Sequence, residues 1–180
     1  MKWMIASDIH GSAYWCERLL EMYEREGAER LLLLGDLLYH GPRNALPKDY
    51  DPQSVAAMLN RYADRIMAVR GNCDAEIDQM ILNFPMMADY ALLSENGSFF
   101  FATHGHIHSR DALPPLAKGA VLLNGHFHVP AAEKLGEFCY INPGSVSIPK
   151  EGSPNSCIVF EDGLFLWKAI GGGEFMRFEL

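Results

Sequence analysis

Apolar runs and helical stripes alternate along the first part of the chain. Short apolar runs predict buried strands at residues 2–7, 29–36 and 65–72. A stripe of large apolar side chains at helical spacing predicts a helix over residues 13–26, and an Asp-Pro pair suited to a helix start predicts a second helix over residues 51–62. This order of elements predicts parallel strands, with the polar residues that follow them collected at one edge of a sheet.

The second half of the chain has the pattern of short strands joined by tight turns. Asn96-Gly97 and Asp162-Gly163 are typical hairpin turns between apolar runs. The predicted strands in this half cover residues 88–93, 97–103, 120–124, 137–141, 156–161 and 164–169. The glycine-rich stretch GGGEFMRFEL carries no clear signal for either element. The whole pattern predicts a single α/β domain over residues 1–180 with a core of two mixed sheets.

Composition places the chain among soluble globular proteins. Of its 180 residues, 49% are hydrophobic and 21% are charged, which is an ordinary balance for a packed domain. The first residues reach Asp8 and His10 before a long apolar stretch can form, and no later run is long enough to span a bilayer. We therefore expect a cytoplasmic protein that does not insert into a membrane.

The cysteines and the net charge exclude further classes. Cys16, Cys73, Cys139 and Cys157 include no C-x-x-C pair, so a thiolate zinc site, a redox pair or a disulfide framework is not expected. The formal net charge is −8 and no cluster of Lys or Arg offsets it locally, so a large nucleic acid is not an expected partner. Bound cations can neutralise some of these carboxylates.

Side chains that bind metals follow nearly every predicted strand. Six of the seven histidines lie in three short segments, each of which follows an apolar run. The candidate ligands are Asp8, His10, Asp36, Asn72, His104, His126 and His128. In the pairs Asp8/His10 and His126/His128, residues at i and i+2 of an extended backbone point to the same side. The sequence therefore predicts a metal site built from several strand ends.

The chemistry of this set favours a pair of divalent ions. Carboxylate, imidazole and amide oxygen ligands without a thiolate favour Mn²⁺, Fe²⁺, Co²⁺ or Zn²⁺. Seven candidates exceed what one four-coordinate ion needs, and they suit two ions that share a carboxylate. Two ions about 3.5–4 Å apart can hold a hydroxide for in-line attack on a phosphate ester.

The order of the motifs points to a known family. D-x-H, G-D, G-N-x-D, H-G-H and G-H-x-H occur in this order between residues 8 and 128. Together they resemble the calcineurin-like metallophosphoesterase superfamily, and the stretches GDLLYHGPRN and NPGSVSIPK resemble its small bacterial Mn²⁺-dependent phosphodiesterases. The resemblance implies a four-layer α/β/β/α fold, a β-sandwich of two mixed sheets flanked by helices. It assigns Asp8, His10 and His128 to a first ion and Asn72, His104 and His126 to a second, with Asp36 bridging.

Two further residues are candidates for contact with the substrate. His106 alternates with His104, and in the resembling family the second histidine of this segment lies near the substrate, where it contacts the substrate or protonates the leaving group. Arg43, in the loop after the second strand, can present its forked donors to a phosphate oxygen. An ordinary loop position explains either residue equally simply, and we assign no chemistry to His40 and His108. We expect no other Lys or Arg to lie near the site.

The position after the motif asparagine raises the question of the proton donor. In the superfamily's phosphomonoesterases a histidine occupies it, oriented by the next acidic residue, and donates a proton to the leaving oxygen. Here the residue is Cys73, whose thiol lacks the reach and the second nitrogen of imidazole. This proton transfer contributes about 10²–10⁴-fold, so its loss affects poor leaving groups most. We therefore expect a preference for phosphodiesters, with His106 as the substitute acid, and we expect Asp74 to cap the following helix.

The resulting hypothesis is a two-metal phosphodiesterase that uses Mn²⁺, hydrolyses small phosphate esters and forms a homodimer or homotetramer. Two alternatives stay open. One is a non-catalytic interaction scaffold on the same fold, like the retromer subunit that resembles this superfamily. The other is a nucleotide-specific phosphatase. Tyr39 and Phe127 are candidates for stacking a base, although packing beneath the loops also explains both.

Overall fold

Eleven strands and three helices make up the fold, and the computed structural model describes every residue from 1 to 180. The elements in chain order are β1 Trp3–Ala6, α1 Ala13–Glu26, β2 Arg30–Leu33, α2 Pro52–Asn60, β3 Ile66–Ala68, α3 Glu76–Gln79, β4 Tyr90–Glu95, β5 Ser98–Thr103, β6 Val121–Leu123, β7 Pro130–Leu135, β8 Phe138–Pro143, β9 Ser156–Glu161, β10 Leu164–Ala169 and β11 Glu174–Glu179. Every strand and helix that the sequence predicts is present, within a few residues of its predicted bounds.

The strands form two mixed sheets. The first has six strands in the order β11-β10-β9-β1-β2-β3, in which β1, β2 and β3 are parallel as predicted. The second has five strands in the order β4-β5-β6-β8-β7, in which β5, β6 and β8 are parallel. The predicted core of two mixed sheets flanked by helices is therefore confirmed.

Aromatic side chains from both sheets fill the space between them. Trp3 of β1 packs on Phe100 of β5 and on Phe160 of β9, with ring centroids 5.3 and 5.4 Å apart. Trp167 of β10 is fully buried, and its indole N–H donates to the carbonyl of Asn142 in β8 at 2.7 Å. Because the Trp3–Phe100 contact and the Trp167–Asn142 hydrogen bond cross from one sheet to the other, they hold the strand ends of the two sheets in fixed positions relative to each other.

Helix α1 covers the outer face of the first sheet, over the predicted residues. The Ser12 hydroxyl accepts from the Trp15 N–H at 3.3 Å and caps its start, and Gly27, with φ 63°, ends it. Leu19 and Tyr23 belong to the buried face that packs on the sheet. None of the three helices combines the length and the apolar character that crossing a bilayer requires.

A loop covers the outer face of the second sheet. Leu116 from this loop packs against Phe101 and Tyr140, which are nearly fully buried. Pro114 and Pro115 precede it, and a proline in a helix interior removes a backbone hydrogen bond and clashes with the preceding turn. The flanking helices therefore lie on the first sheet, and a loop supplies the fourth layer.

The sequence pattern missed two edge strands, β7 and β11. The sequence of β7, PAAEKL, contains a proline and no β-branched residue, so its strand form depends on pairing with β8 and on packing of Ala132 against the core. In β11, Met176 and Phe178 contact the core, whereas Phe175 and Arg177 are exposed. This alternation is typical of a strand, but the run of glycines before it favours neither a strand nor a helix.

Two glycines allow the loops after β2 and β3 to touch. Gly35 has a φ of 91°, and a Cβ there would lie 2.5 Å from the Gly71 nitrogen. A Cβ on Gly71 would in turn collide with Asp36. No side chain fits at either position, so the residues after the two glycines, Asp36 and Asn72, reach the same site because both glycines lack a Cβ.

We expect Gly35→Ala to destabilise the fold more than Gly163→Ala does. Gly163 has a similar φ of 86°, but a Cβ there meets no atom within 4 Å. Both substitutions incur the left-handed backbone cost of roughly 1–2 kcal/mol, and only Gly35→Ala also forces two loops apart. Urea unfolding of the two variants should differ by about 2 kcal/mol or more in the free energy of unfolding. Equal losses would contradict the close approach of these loops.

Candidate metal centre

The seven candidate ligands lie together where the carboxyl ends of strands from both sheets meet. They are Asp8 and His10 after β1, Asp36 after β2, Asn72 after β3, His104 after β5, and His126 and His128 after β6. Neither sheet supplies the full set, so the centre depends on the face-to-face packing of the two sheets.

Asp8, His10 and His128 form a first cluster. The Asp8 Oδ1 atom lies 3.1 Å from His128 Nε2 and 3.5 Å from His10 Nε2, and the two Nε2 atoms are 3.4 Å apart. Asp8 is fully buried and the two histidines are nearly so. Three ligand atoms therefore converge within reach of one ion.

His104 is the centre of a second cluster. Its Nε2 atom lies 3.1 Å from Asn72 Oδ1, 3.2 Å from His126 Nδ1 and 3.4 Å from Asp36 Oδ2. The same Asp36 oxygen lies 3.6 Å from His10 Nε2 of the first cluster. The Asp36 carboxylate therefore lies between the two clusters.

Backbone carbonyls orient three of the imidazole rings. In His10, His104 and His128 the Nδ1 atom lies 2.6–2.8 Å from a backbone carbonyl oxygen. Because a carbonyl only accepts, Nδ1 carries the hydrogen, and the neutral ring presents a lone pair at Nε2. These lone pairs face carboxylate oxygens, and the buried Asp8 Oδ1 has no hydrogen-bond donor.

Such a buried group of acceptors needs a cation. Lone pairs and carboxylate oxygens separated by 3.1–3.6 Å repel one another unless a proton or a metal ion lies among them. Carboxylate, imidazole and amide oxygen donors match a divalent ion of the first transition row. Rings held by an Nδ1 hydrogen bond are typical of histidine ligands. The residues present therefore fit a divalent metal.

In the absence of a metal ion, the ligand side chains of this centre differ in their protonation. Burial lowers the pKa of His104, but the Asp36 and Asp8 carboxylates outweigh it and raise that pKa to about 9. Burial and the neighbouring His104 lower the pKa of His126 to about 4. Burial works against ionisation of Asp8, but contacts with two histidines hold the pKa of its carboxyl well below the ordinary value. At neutral pH the centre holds ionised Asp8, charged His104 and neutral His126.

The backbone that presents the paired ligands is not extended, and this part of the sequence reasoning was wrong. Asp8, His10, His126 and His128 have φ values of 60°, 50°, 65° and 62°. Left-handed backbone costs roughly 1–2 kcal/mol per non-glycine residue and is concentrated at functional sites. The tight turns still place both members of each pair at the centre, while Ile9 between the first two is fully buried in the core.

Asp74 binds backbone groups of the ligand loops, and its predicted role as a helix cap was wrong. Its carboxylate accepts from the N–H groups of Asp36, Leu37 and Gly71 at 2.7–2.8 Å. The N-cap position of α3 is Ala75 instead. Asp74 therefore joins the loop after β2 to the loop after β3. The acidic residue two positions after the motif asparagine was the available signal.

The NPGSVS stretch, which begins in the last two residues of β8, supports Asp8 from the other side. The hydroxyls of Ser145 and Ser147 both donate to the Asp8 carbonyl, at 3.0 and 3.1 Å. The side-chain amide of Asn142 donates to the Gly125 carbonyl at 2.8 Å, next to His126. Sequence reasoning noted this stretch only as part of a resemblance and gave its residues no role.

A cleft of about 380 Å³ opens over the two clusters and contains two cationic side chains. Arg43 lines it as the sequence suggested, and so does Lys150. The expectation that no second Lys or Arg lies nearby was therefore wrong. Lys150 is remote from the ligand motifs in sequence, but its backbone N–H donates to the His128 carbonyl at 3.1 Å. Its place at the end of NPGSVSIPK was the only sequence signal.

Cys73 lines the cleft, whereas His106 lies at its side. Burial and the Asp36 carboxylate raise the pKa of the Cys73 thiol to about 12. The His106 ring is half-buried, with its centroid 5.5 Å from that of His104 and 6.4 Å from that of His126. Its Nδ1 atom is buried without a hydrogen-bond partner.

Comparisons with known proteins agree with this geometry. A family profile described as the calcineurin-like phosphoesterase superfamily domain matches residues 1–162. The curated phosphodiesterase YfcE of Escherichia coli K12 is 52% identical over 156 residues, which cover 87% of this chain and 85% of that protein. The resemblance drawn from the ordered motifs is therefore confirmed.

Solved structures share the fold as well. The structure of YfcE, described as a phosphoesterase from E. coli, superposes with a TM-score of 0.97 at 45% identity and covers 99% of both chains. The zinc complex of Vps29 from Entamoeba histolytica superposes with a TM-score of 0.61 at 14% identity, again over 99% of each chain, and shares the fold alone.

We expect Mn²⁺ binding to release protons near neutral pH. His104, with a pKa of about 9, is protonated there and must lose its proton to offer the Nε2 lone pair. His126, with a pKa of about 4, is already neutral and releases none. Calorimetric titrations in Tris and HEPES, whose ionisation enthalpies differ, should report release of at least about one proton, falling as the pH rises through the His104 pKa. Identical heats in both buffers would contradict the assigned protonation of His104.

Proposed function

Since this chain belongs to the calcineurin-like phosphoesterase superfamily, we propose that it is a metal-dependent phosphodiesterase of the cytoplasm that hydrolyses small phosphate esters. One observation carries the proposal: buried carboxylates and histidine lone pairs face one another beneath a cleft and need cations between them. The 52% identity to a protein named a phosphodiesterase supports the same activity.

The proposed cofactor is a pair of divalent ions, with Mn²⁺ preferred and Zn²⁺, Fe²⁺ or Co²⁺ able to substitute. The assigned ligands are Asp8, His10 and His128 for one ion, Asn72, His104 and His126 for the other, and Asp36 for both. The position of Asp36 Oδ2, 3.4 Å from His104 Nε2 and 3.6 Å from His10 Nε2, supports the shared role. When bound, such ions activate water and polarise the phosphoryl group as Lewis acids.

Arg43 and Lys150 provide the positive charge that a phosphate ester needs in the cleft. Both side chains line it and are exposed to an incoming substrate. The planar guanidinium of Arg43 suits two phosphate oxygens at once, whereas the Lys150 ammonium acts as a point charge. In the proposed complex they orient the phosphate and offset its charge.

The proposed preference for diesters depends on the missing histidine at position 73. The Cys73 thiol, with a pKa of about 12, is far from the range near neutrality that suits proton transfer. We assign the acid role to His106, at the side of the cleft. Burial lowers the pKa of His106, so its protonated form, and with it the hydrolysis of poor leaving groups, increases at a lower pH than for an ordinary histidine. The presence of Lys150 removes the further argument from a scarcity of positive charge.

A non-catalytic scaffold has less support than an enzyme. A scaffold has no need to retain ligands, and this chain keeps all seven candidates in two compact clusters. The likeness to Vps29 concerns the fold alone. A nucleotide-specific phosphatase belongs to the same reaction class and differs only in the group that the substrate carries.

We also propose that copies of the chain associate as a homodimer or homotetramer. Tyr90, Leu92 and Phe99, on the outer face of β4 and β5, are 48%, 54% and 37% exposed. No helix covers this face, and β4 is an edge strand. Apolar side chains grouped on one exposed face are typical of protein interfaces.

Metal-dependent diester hydrolysis is the direct test of the proposed activity. Metal-free protein titrated with Mn²⁺ should gain a rate on bis-p-nitrophenyl phosphate whose kcat/KM exceeds that on an alkyl phosphomonoester by at least about tenfold, because the alkyl leaving group needs a proton that Cys73 does not supply. His126→Ala is the control and should lose the metal-dependent rate. No turnover of either substrate with Mn²⁺ or Zn²⁺ would overturn the proposed activity.

The acid role of His106 predicts a selective loss. His106→Ala should reduce hydrolysis of a p-nitrophenyl alkyl diester little, because its leaving group needs no proton. The same change should slow a diester with two alkyl-type leaving groups by about 10²-fold or more. Steady-state kinetics on both substrates over a range of pH measure the effect. If the variant loses the same factor on both, His106 binds substrate or supports the fold and is not the acid.

A further inference from the structure

An apolar groove opens beside the metal cleft, on the other side of Cys73. It has a volume of about 420 Å³, and its lining includes Leu38, Tyr39, Tyr50, Cys73, Ile77 and Ile81. Cys73 also lines the metal cleft, so the two spaces adjoin. The residues come from the loop after β2, the region before α2 and the short helix α3.

The groove exposes large apolar side chains to water. Tyr39 is 42% exposed, Ile77 62% and Ile81 45%. Its one charged lining residue, Asp78, has a carboxylate oxygen that accepts from the Ala75 N–H at 2.8 Å. This surface therefore has little to offer an ionic ligand, and its exposed apolar area favours a neutral apolar group.

Two aromatic rings give the groove a preference for planar groups. Tyr39 and Tyr50 both pack on the ring of His40 in edge-to-face arrangements. Their ring centroids lie 4.8 and 5.1 Å from that of His40. These contacts hold both tyrosines in place, and ring pairs contribute about 0.5–1.5 kcal/mol beyond the buried area. An aromatic occupant therefore gains more here than an alkyl one.

The opposite wall is also held in place before any ligand arrives. The side-chain amide of Asn60 donates to the Ile81 carbonyl at 2.8 Å, and its oxygen accepts from the Asn83 N–H at 2.7 Å. These bonds fix the segment that follows α3 to the end of α2. A preformed wall reduces the ordering cost of binding.

We infer that this groove binds an aromatic ester group of a phosphodiester whose phosphate lies in the metal cleft. The inference rests on the proposed function and names its substrate class. Cys73 lines both the groove and the cleft, so an ester group of a phosphate in the cleft can extend past Cys73 into the groove, and this continuity favours that occupant over a second copy of the chain. The single charge and the two substituents of an aryl diester match a cationic cleft joined to an apolar groove.

Binding of two unreactive diesters tests the groove without requiring turnover. Diphenyl phosphate and diethyl phosphate carry the same charge and differ in their aromatic groups. By calorimetry on Mn²⁺-loaded protein we expect diphenyl phosphate to bind at least about tenfold more tightly, which corresponds to about 1.4 kcal/mol. Ile77→Asn and Ile81→Asn should each reduce this ratio severalfold and leave the affinity for diethyl phosphate unchanged.

Met80→Asn is the matched control for these variants. Met80 follows α3 directly and is 79% exposed, but it does not line the groove, so its replacement should leave the ratio unchanged. Equal affinities for the two diesters in the unaltered protein, or an unchanged ratio in both isoleucine variants, would overturn the inference. Sedimentation analysis gives a second such outcome. If Ile77→Asn dissociates associated copies of the chain and Met80→Asn does not, the groove is an interface between copies and the inference is overturned. If Mn²⁺ supports no hydrolysis, the proposed activity is contradicted, but the ratio of the two diester affinities can still be measured and still tests the groove.

Discussion

The structure depends on balancing the negative charge of two buried carboxylates, Asp8 and Asp36, which face histidine lone pairs. Backbone carbonyls bind the Nδ1 hydrogens of His10, His104 and His128, so these rings cannot turn to offer a donor to the carboxylates. The repulsion is removed only by a cation, which is either a second proton on an imidazole such as His104 or a metal ion. A single constraint thus links ring orientation, protonation and the demand for metal, and it explains why the pKa of His104 rises to about 9 while that of His126 falls to about 4.

The rest of the fold keeps the ligand residues in place although their backbone is strained. Parallel strands from two sheets end at the same edge, and aromatic contacts such as Trp3 on Phe100 fix one sheet against the other. Gly35 and Gly71 allow the loops to touch, and Asp74 binds their backbone N–H groups. Five of the seven candidate ligands adopt left-handed backbone, namely Asp8, His10, Asp36, His126 and His128. Such strain persists only where the surrounding packing over-determines the conformation.

The surface around the centre divides into two parts with different chemistry. One side presents Arg43 and Lys150 over the cleft, and the other presents the apolar groove beyond Cys73. In the proposed reaction the charged part orients the phosphate and the apolar part selects its substituent. Cys73 lies at the boundary between them and lines both.

The sequence by itself determined the strand and helix pattern, the two-sheet core and the seven candidate ligands, because apolar periodicity and strand-end polar residues are local signals. It also identified the family, since five motifs in order are specific where each alone is not. Tertiary structure decided what depends on contacts remote in sequence. Lys150 enters the cleft through a bond to the His128 carbonyl, Asp74 becomes a link between loops, and β7 becomes a strand by pairing at an edge. The groove beside Cys73 is likewise formed by three separate segments, and no periodicity along one segment can reveal a surface that exists only after they pack together.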